Sequence, residues 1–416
     1  MHGTDERLAI TLWDFSWYTR TGPGEPFADL DAAFEQAADR GYDTIRICAM
    51  PLRLFGAAAS AEPLRIEPLG GGFGQRTRWY DVAGPTELDP LEHTLRLFRA
   101  AQRHGFRVIV SSWEYQQSTS FSADRRWYDD IVAVPPAERP VHLATALADL
   151  VDALAAEGLE GTIAFVELHN EVQFSRLTDG VEGDPVRELT PWLERGIDAF
   201  KQRHPDVLCT ANYAGVPTGS LAYLPRNMEV AVFHPYINGV LEQMQTEFAL
   251  RSPELPFPQQ RVRDELLRPG APDLDEWHPG AENAWKLEAT VVGRELYLHD
   301  WCDPAAFDRW LVERYHAWAP LMRERLANWI AAAADFARLR GLPLVFGEGW
   351  VGYTPLHGRF EEDAIGAGWC RTAMRLSARY GAWGSIVCSN AAPHHPMWAD
   401  VALQRECNAI LRGSIA

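Results

Sequence analysis

Two glutamates that lie far apart in the chain each follow a short apolar run, and together they could cleave a glycosidic bond. Glu171 follows an apolar segment that begins at Phe165, and Glu348 lies between two glycines after Leu344–Phe346. A glycosidase needs one carboxyl group that protonates the leaving oxygen and one carboxylate that attacks the anomeric carbon. Two strands can supply that pair when their C-terminal ends meet at one site, as they do in a (β/α)8 barrel.

The rest of the chain repeats one pattern: an amphipathic helix, a Gly or Pro stop, and a short apolar strand. Continuous apolar runs indicate strands that are buried on both faces of a parallel sheet. An open doubly wound sheet would normally carry a Gly-rich nucleotide turn after its first strand, and this chain has Trp13-Asp14 there. We therefore predict an α/β protein with a single (β/α)8 TIM-barrel domain over residues 1–416. The eight predicted strands cover residues 8–13, 44–48, 107–111, 162–168, 207–210, 230–233, 344–346 and 383–388.

Two long stretches interrupt the pattern, and we predict them to be loop insertions at the barrel mouth. They cover residues 49–89, after strand two, and 237–319, after strand six. The helix before strand five is expected to begin at Thr190-Pro191, and the helix before strand seven to begin after about Pro320. Long insertions favour a walled pocket over an open cleft, and hence exo action on short substrates.

Composition favours a carbohydrate partner without establishing one. The net charge of −18 argues against nucleic-acid binding, which depends on clustered Lys and Arg. Sixteen tryptophans favour a sugar site, because indole faces stack on sugar rings. We expect a neutral carbohydrate substrate, no nucleic-acid partner and no cofactor, while the oligomeric state is left open.

Cysteine usage and hydropathy set the expected location. The six cysteines form no CxxC motif, and no apolar run approaches the ~18 residues of a membrane span, so we expect no membrane association. The first residues, Met1 to Arg7, lack the apolar region of a signal peptide. We therefore expect a cytoplasmic protein, or a secreted one if a signal was trimmed.

Residues at the ends of the predicted strands form a polar and aromatic set, which is where barrel enzymes carry their chemistry. The candidate site residues from this set are Trp13, Arg46, Trp113, Asn170, Glu171, His234, Tyr236, Glu348, Trp350 and Asn390. At least one of the three tryptophans is expected to be a sugar platform. No spacing of His or Cys predicts a metal site, and His394-His395 are interpreted as loop or solvent-exposed residues.

Four short motifs resemble the clan of retaining (β/α)8 glycoside hydrolases that includes the family 5 cellulases and mannanases. They are Glu-Leu-His-Asn-Glu at 167–171, Gly-Glu-Gly-Trp at 347–350, Gly-Tyr-Asp-Thr-Ile-Arg-Ile at 41–47 and His-Pro-Tyr at 234–236. The resemblance implies that Glu171 is the acid/base and Glu348 the nucleophile. It also implies that Asn170 holds the sugar 2-hydroxyl, that Arg46 bonds the nucleophile, and that His234 and Tyr236 line the subsite.

Several alternatives stay open. The clan usually has a His after strand three and a Trp after strand eight, where this chain has Ser111-Ser112 and Ser389-Asn390. A weakly active or inactive sugar-binding barrel is therefore the second hypothesis, and a metal-dependent barrel hydrolase is the third. Glu167 is predicted to be a buried partner of a barrel Arg or Lys, and His169 to point away from the site.

Overall fold

The computed structural model describes residues 6–57, 59–60, 62–290, 292–352 and 354–414. Parallel strands form a barrel whose fifth strand consists of two segments. The strands are β1 (Leu8–Asp14), β2 (Thr44–Cys48), β3 (Arg107–Ser111), β4 (Ile163–Glu167), β5 (Cys209–Thr210 and Asn212–Ala214), β6 (Ala231–His234), β7 (Leu344–Phe346) and β8 (Gly384–Ile386). The predicted α/β class and (β/α)8 architecture are therefore confirmed.

Strand pairing follows chain order around the ring. β1 pairs with β2 on one side and, through Leu8 opposite Gly384, with β8 on the other, so the last strand returns to the first. The only break among the described strands lies at β5, whose first segment pairs with β4 and whose second segment pairs with β6. This ring brings the C-terminal ends of all the strands to one end of the barrel.

Seven longer helices surround the strands. They are α1 (Leu30–Asp39), α2 (Pro90–His104), α3 (Arg139–Ala156), α4 (Pro185–Arg203), α5 (Pro304–Arg340), α6 (Ala364–Arg379) and α7 (Val401–Leu411). Residues 215–230, between β5 and β6, are all described and contain one 3-10 turn, Leu221–Tyr223, instead of an α-helix. None of the helices in the described part of the chain is long and apolar enough to cross a bilayer.

Shorter elements occupy the connections. A two-stranded antiparallel hairpin, Leu64–Ile66 with Thr86–Leu88, lies between β2 and α2. The short α-helices are Ser16–Thr19, Pro51–Phe55, Arg125–Ala133, Val240–Glu247, Gln259–Glu265, Ala284–Glu288 and Gly293–Trp301. Further 3-10 helices are Ser118–Phe121, Pro136–Glu138, Glu160–Thr162, Val172–Phe174, Arg176–Thr178, Leu274–Glu276 and Pro396–Ala399.

Helix α4 begins earlier than the sequence predicted. The prediction placed its start at Thr190-Pro191, whereas the helix begins at Pro185. The side chain of Asp184 accepts a hydrogen bond from the backbone N–H of Val186 at 3.0 Å and so caps the first turn. Pro191 therefore lies inside the helix, where it removes one backbone hydrogen bond without ending it.

Helix α5 shows the same difference on a larger scale. It begins at Pro304, after a cap in which Asp303 accepts from the N–H of Ala305 at 2.9 Å, and runs for 37 residues. Pro320, which we interpreted as a boundary, lies in its interior. Its predicted end is correct, because Gly341 adopts the left-handed conformation (φ 67°) that a helix C-terminus favours.

The core lies in the barrel interior and in the layer between strands and helices. All six cysteines are free and buried in this core, as expected for small apolar side chains.

Two helical glycines provide a test of how tightly α3 and α4 pack. One lies at their contact, and the other is an exposed control. A Cβ atom on Gly196 in α4 would lie 2.8 Å from the carbonyl oxygen of Pro140 in α3, whereas a Cβ on the exposed Gly368 in α6 would meet no heavy atom within 4 Å. We expect Gly196→Ala to lower the free energy of unfolding by about 1–3 kcal/mol through overpacking. Gly368→Ala should raise it by about 0.5–1 kcal/mol, because alanine favours the helix. Urea unfolding measures both, and equal stabilisation would disprove the close α3–α4 contact.

Candidate active site

Four strands bring the two glutamates together with Arg46 and His234. Glu171 follows β4 and Glu348 follows β7, while Arg46 lies within β2 and His234 ends β6. One oxygen of each glutamate and one ring nitrogen of His234 lie within 4.8 Å of one another. Both glutamates are buried, at 8% and 7% of their full exposure. Positions 171 and 348 therefore face each other at the C-terminal end of the barrel.

Arg46 is fully buried and connects the acidic groups of the site. Its Nη1 donates to Glu348 Oε1 at 2.8 Å, and its Nη2 donates to Glu167 Oε2 and to Asn170 Oδ1, both at 2.7 Å. Its Nε donates to Glu167 Oε2 at 3.0 Å, and the guanidinium lies 4.6 Å from the ring centre of Trp113. With all three nitrogens bonded, Arg46 holds one oxygen of Glu348 in a defined position.

A second set of bonds runs from Glu167 to the backbone of Glu171. Asn212, in β5, donates through Nδ2 to Glu167 Oε2 at 2.7 Å and accepts through Oδ1 from the N–H of Glu171 at 2.6 Å. Glu171 has a left-handed backbone (φ 45°), which is uncommon for a residue with a side chain. The Asn212 bond helps to hold this conformation, and with it the direction of the Glu171 carboxyl group.

The surroundings of Glu171 favour its protonated form. Burial raises the pKa of Glu171 to about 7, against the opposing effects of the Arg46 and Arg251 charges and of a hydrogen bond from Gln116. Its nearest basic neighbour is His234, whose Nδ1 lies 3.1 Å from Glu171 Oε1. Burial lowers the pKa of His234 to about 4, so this imidazole is neutral at pH 7. Glu171 therefore holds its proton over part of the physiological range.

Glu348 has stronger hydrogen-bond donors. Arg46 binds one oxygen, and the Tyr236 hydroxyl donates to the other, Oε2, at 3.0 Å. The Tyr236 oxygen also lies 2.6 Å from Ser389 Oγ. Burial raises the pKa of Glu348, and so does Glu171, while His234 and Arg46 oppose that rise. Because donors occupy both oxygens, the site stabilises Glu348 as an anion more than it does Glu171.

The lack of a side chain at Gly347 leaves room for His234 and Arg46 beside Glu348. A Cβ atom there would lie 2.8 Å from Nε2 of His234 and 3.3 Å from Nε of Arg46. Any side chain at this position would therefore displace the two groups that contact Glu348.

The carboxyl groups lie between a narrow cavity and a wide one. The narrow cavity has a volume of about 20 Å³, and Asp14, Trp79, Trp113 and Gln117 line it together with both glutamates. The wide cavity has a volume of about 780 Å³ and touches Glu171 and Tyr236. Its wall includes Phe174, Val216, Leu250, Arg251, Arg294 and Trp329.

Seven of the ten predicted site residues form this cluster, and three lie elsewhere. The seven are Arg46, Trp113, Asn170, Glu171, His234, Tyr236 and Glu348. Trp13 is fully buried against Phe27 and Phe34, so neither indole face is free for a sugar. The next residue, Asp14, lines the cavity instead, because successive side chains of a strand alternate in direction.

Trp350 and Asn390 lie in a neighbouring buried region. The Trp350 indole is 1% exposed and donates to the carbonyl of Val387 at 2.7 Å, so its ring is a packing group. Asn390 hydrogen-bonds Glu361 rather than either glutamate of the site. Both follow predicted strands, but position at a strand end does not determine side-chain direction.

The structure also places the other residues for which the sequence made predictions, namely Glu167 and three histidines. Glu167 is the buried partner of a barrel arginine, as predicted. His169 accepts from the N–H of Tyr115 at 2.9 Å and donates to the carbonyl of Asn170 at 2.6 Å, so backbone groups occupy both ring nitrogens. His394 and His395 were interpreted as loop or solvent-exposed residues. They do lie in a loop, but both side chains are buried beside the end of β1, so solvent exposure is wrong.

The structure adds site residues that the prediction did not include. Asn212 and Ser389 follow predicted strands, so strand-end position was an available signal for both. Gln116 lies in the loop after β3 and Trp79 in the region between β2 and α2. Only the tertiary structure brings these last two to the carboxyl groups.

Sequence comparison finds one family. Residues 10–212 match the profile of a cellulase-like family described as sugar-binding. This range contains Arg46, Glu167, Asn170 and Glu171, but it ends before Glu348. No curated protein matches the sequence.

Comparison of structures finds a shared fold in one candidate glycoside hydrolase and a weaker likeness to two further enzymes. A candidate glycoside hydrolase from Parabacteroides distasonis is 18% identical, with a TM-score of 0.70, and the match covers 98% of this chain and 94% of that one. A glycoside hydrolase family 5 mannosidase from Rhizomucor miehei is 11% identical, with coverage of 99% and 94% and a TM-score of 0.46. An endo-1,4-beta-D-mannanase from Thermotoga petrophila is 14% identical, with coverage of 91% and 87% and a TM-score of 0.43.

The chain is therefore similar to a sugar-binding cellulase-like family over residues 10–212, and it shares its barrel fold with a candidate glycoside hydrolase.

Proposed function

We propose that this protein is a retaining glycoside hydrolase that cleaves a β-glycosidic bond of a neutral glycan or glycoside. Glu348 is the nucleophile and Glu171 is the acid/base. The observation that carries the proposal is the pair of buried carboxyl groups with unequal partners. Glu348 accepts from Arg46 and Tyr236, whereas Glu171 lies beside a neutral His234 and has a pKa of about 7.

The spacing of the pair supports retention of anomeric configuration. Retaining enzymes hold their carboxyl groups about 5–5.5 Å apart, while inverting enzymes need about 6.5–9.5 Å to admit a water molecule. An oxygen of Glu171 lies within 4.8 Å of an oxygen of Glu348. This separation suits direct attack by Glu348 on the sugar better than activation of a water between the two groups.

The reaction would proceed in two displacements. In the first, Glu348 forms a bond to the anomeric carbon while the bond to the leaving oxygen breaks, and Glu171 gives its proton to that oxygen. In the second, Glu171 takes a proton from water, which attacks the same carbon and releases Glu348. Arg46 donates to Oδ1 of Asn170 and so fixes the direction of the amide. The Nδ2 of Asn170 lies 3.2 Å from Gln116 Oε1 and would donate to the sugar 2-hydroxyl.

The volumes of the two cavities indicate where a substrate would lie. The wide cavity, of about 780 Å³, touches Glu171 and Tyr236 and has room for a sugar ring. The narrow cavity, of about 20 Å³, has room for about one water molecule beside the two glutamates. The substrate would therefore reach the carboxyl pair through the wide cavity.

Covalent labelling tests the role of each glutamate. A panel of activated 2-fluoro glycosides should leave one sugar on Glu348, because the 2-fluoro group slows breakdown of the glycosyl-enzyme intermediate more than its formation. Peptide mass mapping locates the adduct. We expect Glu348→Gln to abolish labelling and turnover, and Glu171→Gln to reduce kcat on unactivated glycosides by at least about 100-fold, the lower range for general acid catalysis.

Glu361→Gln is the matched control, since Glu361 is buried and bonds Thr354 rather than the carboxyl pair. It should label and turn over as the wild type does. An adduct on another residue would overturn the roles, and retained turnover in Glu348→Gln would overturn the mechanism. Sugar binding with no turnover and no labelling by the wild type would favour the non-catalytic sugar-binding barrel.

The pH profile tests the protonation state of Glu171. Since the general acid must carry a proton and its pKa is about 7, kcat/KM for an unactivated glycoside should fall as the pH rises through about 7. In Glu171→Gln the residual activity should lose this basic limb. An unchanged limb in that variant would assign it to another group and contradict the acid role of Glu171.

A further inference from the structure

We propose that Asp14, His394 and His395 form a binding site for a divalent transition-metal ion of the Zn²⁺ type. The site lies next to the narrow cavity, which Asp14 also lines. It uses none of the groups assigned to catalysis, so it stands or fails independently of the proposed function.

The barrel brings the three residues together. Asp14 ends β1, and the two histidines lie in the loop after β8, the strand that pairs with β1. His394 Nε2 is 3.4 Å from Asp14 Oδ2, and the two imidazole ring centres are 3.9 Å apart. One ligand atom from each residue lies within 4.8 Å of the other two.

The donor atoms are buried and lack partners. The side chain of His394 has no exposed surface, and Asp14 and His395 are 2% and 3% exposed. Oδ2 of Asp14 and all four ring nitrogens of His394 and His395 have no hydrogen-bond partner among the residues that the structure describes. Buried polar atoms in folded proteins are almost always bonded, because an unsatisfied one destabilises the folded state. Five such atoms in one cluster point to a bound group.

The donor set suits a metal ion of borderline softness. Two imidazole nitrogens and one carboxylate oxygen are common ligands of Zn²⁺, at about 2.0–2.2 Å in tetrahedral geometry, which places neighbouring ligand atoms about 3.3 Å apart. The Asp14–His394 distance of 3.4 Å already matches that spacing. The other carboxylate oxygen of Asp14 is fixed by hydrogen bonds, because Oδ1 accepts from the N–H and the Oγ of Ser16 at 2.8 and 2.9 Å. Such support fixes the remaining oxygen toward a ligand.

An ion pair or a sugar ligand would satisfy only part of this cluster. An ion pair between a protonated His394 and Asp14 would leave both nitrogens of His395 unpaired. A sugar hydroxyl could reach Asp14 from the cavity, but the two imidazoles are buried, so their nitrogens would stay unpaired. A metal is better supported here than at Glu171, His234 and Glu348, because Arg46 and Tyr236 already occupy the oxygens of Glu348.

Zinc binding to the purified full-length protein tests the site. After treatment with a chelator and dialysis, the wild type should take up one equivalent of Zn²⁺, measured by elemental analysis and by competition with a chromophoric chelator. Saturating Zn²⁺ should raise the thermal unfolding midpoint, because it binds the folded state. His394→Gln and His395→Gln should each weaken zinc binding by about tenfold to a hundredfold or more.

Two controls separate this cluster from other histidines and carboxylates. His299→Gln alters another buried histidine, and Glu171→Gln alters the second group that could hold a metal. Both should keep the wild-type stoichiometry. A wild type that takes up no zinc would overturn the proposal whether or not the variants fold. Undiminished zinc binding in His394→Gln and His395→Gln, or loss of zinc in Glu171→Gln instead, would do so as well. Far-UV circular dichroism of the zinc-free variants verifies their fold.

Discussion

The geometry of the site depends on one buried guanidinium. Arg46 lies inside the barrel, away from water, and is bonded to Glu167, Glu348 and Asn170. A buried charge of this kind is tolerated only with full pairing, and loss of one partner of such a pair costs about 3–5 kcal/mol. The requirement acts in both directions: Arg46 needs its carboxylates, and the carboxylates are held in place by Arg46. The site is therefore rigid because its charges would be costly to expose or to separate.

The same constraint makes the two candidate catalytic glutamates different from each other. Arg46 donates directly to Glu348. It is connected to Glu171 through its bonds to Asn170 and Glu167. Glu171 is consequently left with a neutral histidine and an amide as neighbours, and burial dominates its pKa. Two residues of one chemical type thus acquire different hydrogen-bond partners from position alone, and such differences are the basis of acid/base division in many carboxylate pairs.

Glu167 links this electrostatic network to the fold. It lies in β4, bonds Arg46 in β2 and bonds Asn212 in β5, and so ties three strands together at their C-terminal ends. Asn212 then holds the backbone of Glu171. The break in β5 at Ala211 lies directly before this asparagine, where the strand passes from β4 to β6. The network therefore stabilises the barrel at the place where its hydrogen-bonded ring is interrupted.

The sequence by itself determined the barrel and pointed to the candidate carboxyl pair. Apolar runs of strand length separated by helices determined the eight strands, and strand ends pointed to Arg46, Asn170, Glu171, His234, Tyr236 and Glu348, because these are local patterns. Proline positions misled the prediction for α4 and α5, since an aspartate cap decides where a helix begins more strongly than a later proline does. Only the tertiary structure decided that Trp13 and Trp350 pack inward, that Gln116 and Trp79 join the site, and that Asp14 meets His394 and His395. Those outcomes depend on side-chain direction and on contacts between residues that lie tens to hundreds of positions apart, which no local pattern encodes.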